Sequence, residues 1–364
     1  MSELDLLYDS EEWAPTPGMP GTLARMASEF IVVGEAGLRE CDGLGGAAGV
    51  AAALTALGAK AELVSVCGRA ADRVPLRERL AERGAGATRL VVEESSWPSV
   101  TGVLSGMVRD ADCVLVCDHS GTGLAAYARR LMTADRGHLP PLAVYTGEAA
   151  PWATLAPELM AVHGRRSGGG TATRFVWLHD EGMMLAAAHR HPYRTWARPP
   201  HGRRSGAAEE SGVAALALGL VAGLPSTTSA ELAQAAADAT ACLPDPLVCD
   251  TNLLTRWLSD RRSVFVPWQG IAPLVHGHER AGRRVVVASG VFDRLHHGEV
   301  DRLNRARRDG DVLVVAVCSD AMVRRAGGRS PIRHAAERAS TLATLSCVDH
   351  VTIAEGEAGA LLRL

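Results

Sequence analysis

Short continuous apolar runs alternate with longer Ala/Leu-rich stretches along most of the chain. Phe30-Ile31-Val32-Val33, residues 61–66, 113–117 and 142–145, and Phe175-Val176-Trp177-Leu178 predict strands; residues 46–57, 73–83, 121–133, 211–222 and 229–241 predict helices. Runs without polar alternation are what strands covered on both faces require, so the pattern predicts a largely parallel sheet between helical layers. Thr228 followed by Glu231 predicts a capping box for the helix over 229–241. Pro267, Gly270, Pro273, Gly277 and the mixed run His276-Gly277-His278-Glu279-Arg280 interrupt the pattern and predict a linker over 262–282. The pattern then restarts as strand 284–288, helix 298–308, strand 312–317, helix 332–345 and strand 348–353, a βαβαβ unit forming half of a doubly wound sheet. Residues 1–22, with Pro15, Pro17 and Pro20 and no periodicity, predict a flexible lead-in. Two domains are expected, 23–261 and 283–364.

Composition narrows the function class. A chain of 364 residues, 47% hydrophobic and with a net charge of −3, has material for a full core and lacks the basic footprint of a nucleic-acid binder. No basic segment leads an apolar run at the N-terminus, and residues 212–224 are too short to span a bilayer, so a cytoplasmic protein without membrane contact is expected. The cysteines at 41, 67, 113, 117, 242, 249, 318 and 347 form no CxxC pair and predict reduced, mostly buried thiols. His276 and His278 stand alone in polar sequence, and no metal-ligating cluster is predicted. Lys60 is the only lysine, which excludes a lysine from any site elsewhere.

Residues 290–298 occupy the turn from the first strand of the βαβαβ unit into its first helix. Ligands of doubly wound sheets bind beyond the carboxyl ends of the strands, where helix N-terminal amides and the dipole attract phosphate. Nucleotidyl transfer asks the protein mainly to hold phosphates in line and stabilise developing charge. Gly290-Val291-Phe292-Asp293-x-Leu295-His296-x-Gly298 resembles the signature of the cytidylyltransferase-like family, and Gly310-Asp311-x-Leu313 through Ser319-Asp320 resembles the adenylyltransferase domain of bacterial ADP-heptose synthases. The resemblance implies a Rossmann-like nucleotidyltransferase domain. It implies His296 as the catalytic histidine and Gly290, Phe292, Asp293, His296, Gly298, Ser319, Asp320, Arg329 and Arg338 as nucleotide-binding, with Pro331 and Glu337 in the same segment. Four departures stand against it: Glu299 where the motif has its second histidine, Cys318 for asparagine, Ala326 for lysine, and an end at Leu364 that implies a shortened domain. A carboxylate at 299 competes with phosphate for the same helix N-terminus.

Leu44-Gly45-Gly46-Ala47-Ala48-Gly49 followed by Leu54-x-x-Leu57-Gly58 resembles the ribokinase-type sugar kinase family. This implies a three-layer α/β/α domain with Gly45, Gly46 and Gly49 against a sugar, although an asparagine is expected where Gly49 stands. Gly206-Ala207-Ala208-Glu209 matches that family's anion-hole turn, which makes Glu209 the catalytic base by resemblance. Its longer arm misplaces the base by more than about 1 Å, an error that can cost on the order of a hundredfold, and the residues themselves favour reading Glu209 with Glu210 as a plain acidic first turn. Asp118, at a strand end, could contact ligand or cap.

The expectation is a divergent ADP-heptose synthase-like nucleotidyltransferase, with an inactive kinase domain, moving a nucleotidyl group from a nucleoside triphosphate to a sugar 1-phosphate. ATP as substrate, Mg2+ and a homodimer are expected with it. The rival expectation is a non-catalytic protein that binds nucleotide or sugar phosphate, or pairs with an active enzyme.

Overall fold

The computed structural model describes residues 19–26, 28–38, 43–67, 70–91, 104, 106–118, 140–147, 152, 159–163, 174–177, 182–186, 192–197, 206–243, 248–259, 265–327 and 330–355. The chain divides into two compact units, one built on residues 17–192 and 196–256, the other on 257–364.

The N-terminal unit is organised by a ten-stranded sheet. Its strands are β1 (Glu29–Leu38), β2 (Leu44–Gly46), β3 (Lys60–Cys67), β4 (Gly86–Val91), β5 (Cys113–Asp118), β6 (Leu142–Thr146), β7 (Leu159–His163), β8 (Arg174–Trp177), β9 (Gly182–Ala186) and β10 (Tyr193–Trp196). The order is β10-β9-β8-β7-β6-β5-β1-β3-β4, with β2 hooked antiparallel onto the end of β1. The pairings from β4 through β8 are parallel and β9 turns back antiparallel. β5 and β6 are buried at every position, as their unbroken apolar sequence requires. Ile31, Val33, Val64, Val114, Val116, Val144, Trp152, Met160 and Val162 belong to one core cluster against this sheet.

Helices α1 (Met19–Arg25), α2 (Ala47–Ala56), α3 (Arg73–Glu82), α4 (Gly206–Val221), α5 (Ser226–Ala241) and α6 (Thr251–Ser259) complete the described part of this region. The alanine-rich α4 and α5 pack on each other, small side chains allowing the close approach. Three expectations change. Residues 19–22, read as lead-in, begin α1. The Gly206-Ala207-Ala208-Glu209 segment is not a turn ahead of a helix but its first turn, because α4 starts five residues earlier than the apolar pattern suggests. The capping box at Thr228 is not formed: α5 starts at Ser226 behind Pro225, and Thr228 and Glu231 are both buried inside it. Proline's fixed φ sets the helix entry there without a side-chain cap. The helix expected over 121–133 lies outside the described residues.

The C-terminal unit has three parallel strands, β11 (Val285–Gly290), β12 (Val312–Cys318) and β13 (His350–Ala354), in that spatial order. Helix α8 (His297–Arg308) joins β11 to β12, and α9 (Asp320–Arg325) with α10 (Ala335–Ala343) joins β12 to β13. β12 lies in the middle with Val312, Val314, Val315 and Val317 buried. Each such side chain contributes about 1.5–3 kcal/mol over an exposed one. Residues 271–280, read as linker, form helix α7 (Ile271–Arg280). Ile271 and Val275 sit in a core with Val312 and Val314, and Leu274 packs against it. Upstream, the Val266 amide donates to the Val351 carbonyl at 2.8 Å, so the chain at 265–266 lines the outer edge of β13.

Candidate functional sites

Each unit gathers its polar groups at the carboxyl ends of its central strands. In the N-terminal unit, Asp118 ends β5, Tyr145 lies in β6, Gly46 and Gly49 open α2, and Glu209 and Glu210 lie in the first turn of α4. Tyr145 Oη donates to Glu209 Oε2 at 2.9 Å. The Gly46 amide donates to Glu210 Oε1 at 2.8 Å. Gly46 holds φ +62°, a left-handed conformation that a residue with a Cβ adopts at a cost, and this turns its N–H toward Glu210. A Cβ on Gly49 would lie 1.9 Å from Glu210 Oε2, so the glycine exists where the carboxylate presses against the helix. Glu210 is 3% exposed. Trp152 Nε1 donates to Asp118 Oδ2 at 2.9 Å, while Asp118 Oδ1 is equally buried and has no protein partner. Burial, followed by Glu209 with its hydrogen bond and by Glu210, drives the Tyr145 hydroxyl well above its ordinary value. Burial, Glu210 and Asp118 likewise push the Cys117 thiol up, so it is no thiolate nucleophile. The thiol of Cys249, outside this cluster, is pushed up to about 12 by burial and then Asp250. Gly45 pairs with Gly37 in the β1–β2 hook.

In the C-terminal unit the same topological position is organised differently. Gly290 ends β11, and a Cβ there would lie 3.0 Å from the Phe292 ring, which folds back over it. Phe292 holds φ +52°, a strained conformation for a bulky residue. His296 is the N-cap residue of α8, yet no side chain caps this helix, and the His296 ring is exposed. Gly298 follows in the first turn, exposed, with room for a Cβ only 3.3 Å from the His296 ring. Glu299 stands in the same turn with Oε2 buried and without a hydrogen-bond partner. Arg329 lies outside the described residues.

The other residues expected to hold nucleotide form a web between loops. The Arg333 amide donates to Asp293 Oδ1 at 3.1 Å, tying the loop after β11 to the segment before α10. Burial raises the Asp293 carboxyl, but the Ile332 and Arg333 amides with Arg338 and Arg294 outweigh it and hold it below the ordinary carboxylate value. Arg338, 1% exposed, donates to the carbonyls of Val291, Cys318 and Arg333 and to Asp320 Oδ1. Its guanidinium therefore binds the loops after β11 and β12 to α10. Ser319 caps α9 by accepting from the Met322 amide at 3.3 Å. Asp320 is likewise held below the ordinary value: burial raises it, and Arg338, His334 and the Ala335 amide override that. His334, which no sequence motif marks, joins this web: its Nδ1 lies 3.2 Å from Asp320 Oδ2. It falls inside the helix expected over 332–345, and only the later start of α10 at Ala335 makes it the residue before the helix. Among the described residues no group of three or more His, Cys, Asp or Glu side chains could hold a metal ion.

Residues 287–358 match the cytidylyltransferase-like family. The C-terminal unit carries a cytidylyltransferase-like domain. The chain also has bifunctional homologues. It is 30% identical over 189 residues to the bifunctional protein HldE of Desulfatibacillum aliphaticivorans, covering 50% of this chain and 39% of that protein. It is 37% identical over 148 residues to HldE of Pelobacter propionicus, covering 39% and 30%. The HldE of Geotalea uraniireducens is 48% identical over 84 residues, 23% of this chain and 17% of its own. The chain thus spans less than half the length of these curated relatives. The tetrameric inhibited form of phosphofructokinase-2 from Escherichia coli superposes with TM-score 0.49 at 14% identity, over 63% of this chain and 97% of that one. Ribokinase of Arabidopsis thaliana, complexed with ribose and ATP, gives 0.48 at 16% identity over 64% and 99%. Among the described residues no helix is long and apolar enough to cross a membrane.

Proposed function

We propose that this chain is a sugar-phosphate nucleotidyltransferase whose C-terminal unit moves a nucleotidyl group, adenylyl by the resemblance, from a nucleoside triphosphate to a sugar 1-phosphate. The observation that carries the reading is the loop cluster at the ends of β11 and β12. There an exposed His296 precedes a helix N-terminus without a side-chain cap, Gly298 is exposed with only the His296 ring beside it, and Arg338 braces the surrounding backbone. His296 and the first-turn amides of α8 would hold the triphosphate. Asp293 would set the loop through its bonds to the α10 approach, and Arg329 would join the phosphates. A phosphate oxygen of the sugar 1-phosphate attacks the α-phosphorus, the bond to the β-phosphate oxygen breaks, and pyrophosphate leaves with the electron pair.

The residues present suit a magnesium ion that arrives on the triphosphate rather than one caged by protein. Asp293 and Asp320 already accept from other groups, whereas Glu299 has an oxygen without a partner and would be the carboxylate to touch such an ion. When bound, magnesium would neutralise charge on the β- and γ-phosphates. Glu299 opposes bare phosphate and favours metal-bound phosphate, so binding should require the divalent ion.

The N-terminal unit reads differently. Glu209 is engaged by Tyr145, and Glu210 occupies the space over Gly46 and Gly49 where the sugar kinase resemblance would seat a sugar. We infer that this unit does not transfer a phosphoryl group and serves the chain by binding or by assembly, a homodimer being the proposed form. Calorimetry of the full chain with ATP, CTP and ADP, each with and without magnesium, tests the nucleotide half. Magnesium-dependent ATP binding and pyrophosphate release with a sugar 1-phosphate are expected. No binding to any of the three would overturn the enzyme reading, and ADP formation from ATP with an unphosphorylated or monophosphorylated sugar would overturn the inactive-kinase reading.

A further inference from the structure

Anion binding at the ends of β11 and β12 lacks one imidazole, because Glu299 takes the place that the family motif gives to a second histidine. The local cations do not replace it directly. Arg338 is buried and its charge is spent on Asp320 and three backbone carbonyls. His334 is different: its side chain is 85% exposed, and it lies between Arg333, whose amide is bonded to Asp293, and α10. It occupies the N-cap position of α10 but makes no capping bond, so the imidazole does not serve the helix.

What holds His334 is Asp320. With Oδ1 locked by Arg338, the carboxylate directs Oδ2 to His334 Nδ1. An ionised carboxylate can only accept, so Nδ1 carries the proton and Nε2 is directed away from Asp320 with its lone pair, or its second proton, available. Buried guanidinium, carboxylate and imidazole in series fix ring orientation in the manner of the outer partners of metal- and proton-handling histidines. The orientation is set by residues 14 and 18 positions apart in sequence, which brings it to the same strand ends as His296.

Resting on the nucleotidyltransferase reading above, we propose that His334 is a phosphate-contacting residue. As imidazolium, with Nδ1–H donated to Asp320, its Nε2–H donates to the triphosphate of the bound nucleotide, and Asp320 and Arg338 are its positioning residues. Glu299 and His334 thereby divide the work of the motif's second histidine: the carboxylate meets the cation and the imidazole meets the phosphate.

The test separates contact with phosphate from contact with Asp320. Asparagine can keep a donor toward Asp320 but reaches no further, whereas glutamine can place an amide N–H near the position of Nε2. With the full chain and magnesium ATP, calorimetry should show His334→Ala and His334→Asn binding about tenfold weaker than wild type, the size of one charge-assisted hydrogen bond. His334→Gln should recover part of the loss, and all three should unfold at the wild-type midpoint. Wild-type affinity in His334→Ala, or full recovery in His334→Asn with none in His334→Gln, would overturn the role of Nε2 while leaving the nucleotidyltransferase reading standing. A wild-type chain that binds no nucleotide overturns both.

Discussion

The two loop clusters answer the same topological question in opposite ways. Parallel strands deliver polar residues to their carboxyl ends in both units, and a glycine-bearing helix starts beside each. In the N-terminal unit the space over Gly49 is filled by the chain's own carboxylate, with Glu210 on the Gly46 amide. In the C-terminal unit Gly298 is exposed and only a movable imidazole lies near it. The N-terminal cluster stores its acidic groups inward against tyrosine and tryptophan. The C-terminal cluster spends its acidic groups on bracing loops, which leaves His296 and His334 outward. A cluster closed on itself contributes to stability, and one held open by its neighbours is available to a ligand.

The largest expected effect breaks the brace. Arg338→Ala removes a buried cation from Asp320 and leaves three carbonyls without their donor. Losing one partner of a buried pair costs about 3–5 kcal/mol. Urea unfolding of the full chain should show early loss of the C-terminal unit, detected as faster amide exchange in β11 and β12 with β5 and β6 unchanged. Arg338→Lys, which keeps the charge and loses the planar fork, should fall between. Unchanged exchange in Arg338→Ala would mean that the loops hold without it.

The same glycine-to-alanine change sharpens the contrast between the units. In Gly49→Ala the new methyl has Glu210 in its place, so overpacking should cost about 1–3 kcal/mol. The double variant with Glu210→Ala should recover part of that. In Gly298→Ala the neighbour is an exposed ring that can swing away, and alanine is the better helix former by up to about 1 kcal/mol, so stability should hold or rise slightly. Magnesium ATP binding should nevertheless weaken there, since the methyl stands where phosphate would approach. Equal thermal shifts for the two single variants would remove the distinction between a filled and an open site.

How much of this was legible depends on the distance over which each feature is specified. Strands β1, β3, β5, β6 and β8 and the strands of the second sheet follow from local apolar runs, whereas β2, β4, β7, β9 and β10 are short or mixed in sequence and are defined only by their pairing; the βαβαβ unit was readable because Val285–Ala288 and Val312–Val317 alternate with helical patterns. Helix α7 was hidden because Pro273, Gly277 and two histidines outweighed the quieter spacing of Ile271, Leu274 and Val275, whose partners Val312 and Val314 are supplied only by the fold. The role of Glu210 could not be read at all: its partner Gly46 is 164 residues away, and the two acidic residues looked like a solvated first turn. The motif residues at 290–298 were visible as a string, but the brace under them joins Arg338 to Val291 across 47 positions. Sequence therefore marks which residues are unusual, and packing decides whether they face inward or outward.

The smallest expected effect concerns a contact of the C-terminal unit away from its loops. His278 on α7 and His350 at the start of β13 meet with Nε2 atoms 3.1 Å apart. Two imidazolium rings cannot share that contact, since both nitrogens would then be donors. Burial lowers the His278 value below 6.5 and Arg283 lowers it further, with Asp349 opposing; Asp349 is itself bonded to the Leu313 amide and paired with Arg307. The unfolded chain thus takes up a proton at this residue before the folded one does. Stability from the contact is complete above about pH 6.5 and declines as pH falls from there toward the lowered folded value. Because His278 is only half-buried, solvent screening keeps the effect small, about 1–2 °C in the unfolding midpoint between pH 7 and pH 5.5. His278→Gln should flatten this part of the profile without altering the acid-side loss that Asp293 and Asp320 impose when they are protonated below their already lowered values. A profile in His278→Gln that falls as steeply as wild type between those pH values would assign the decline to other histidines.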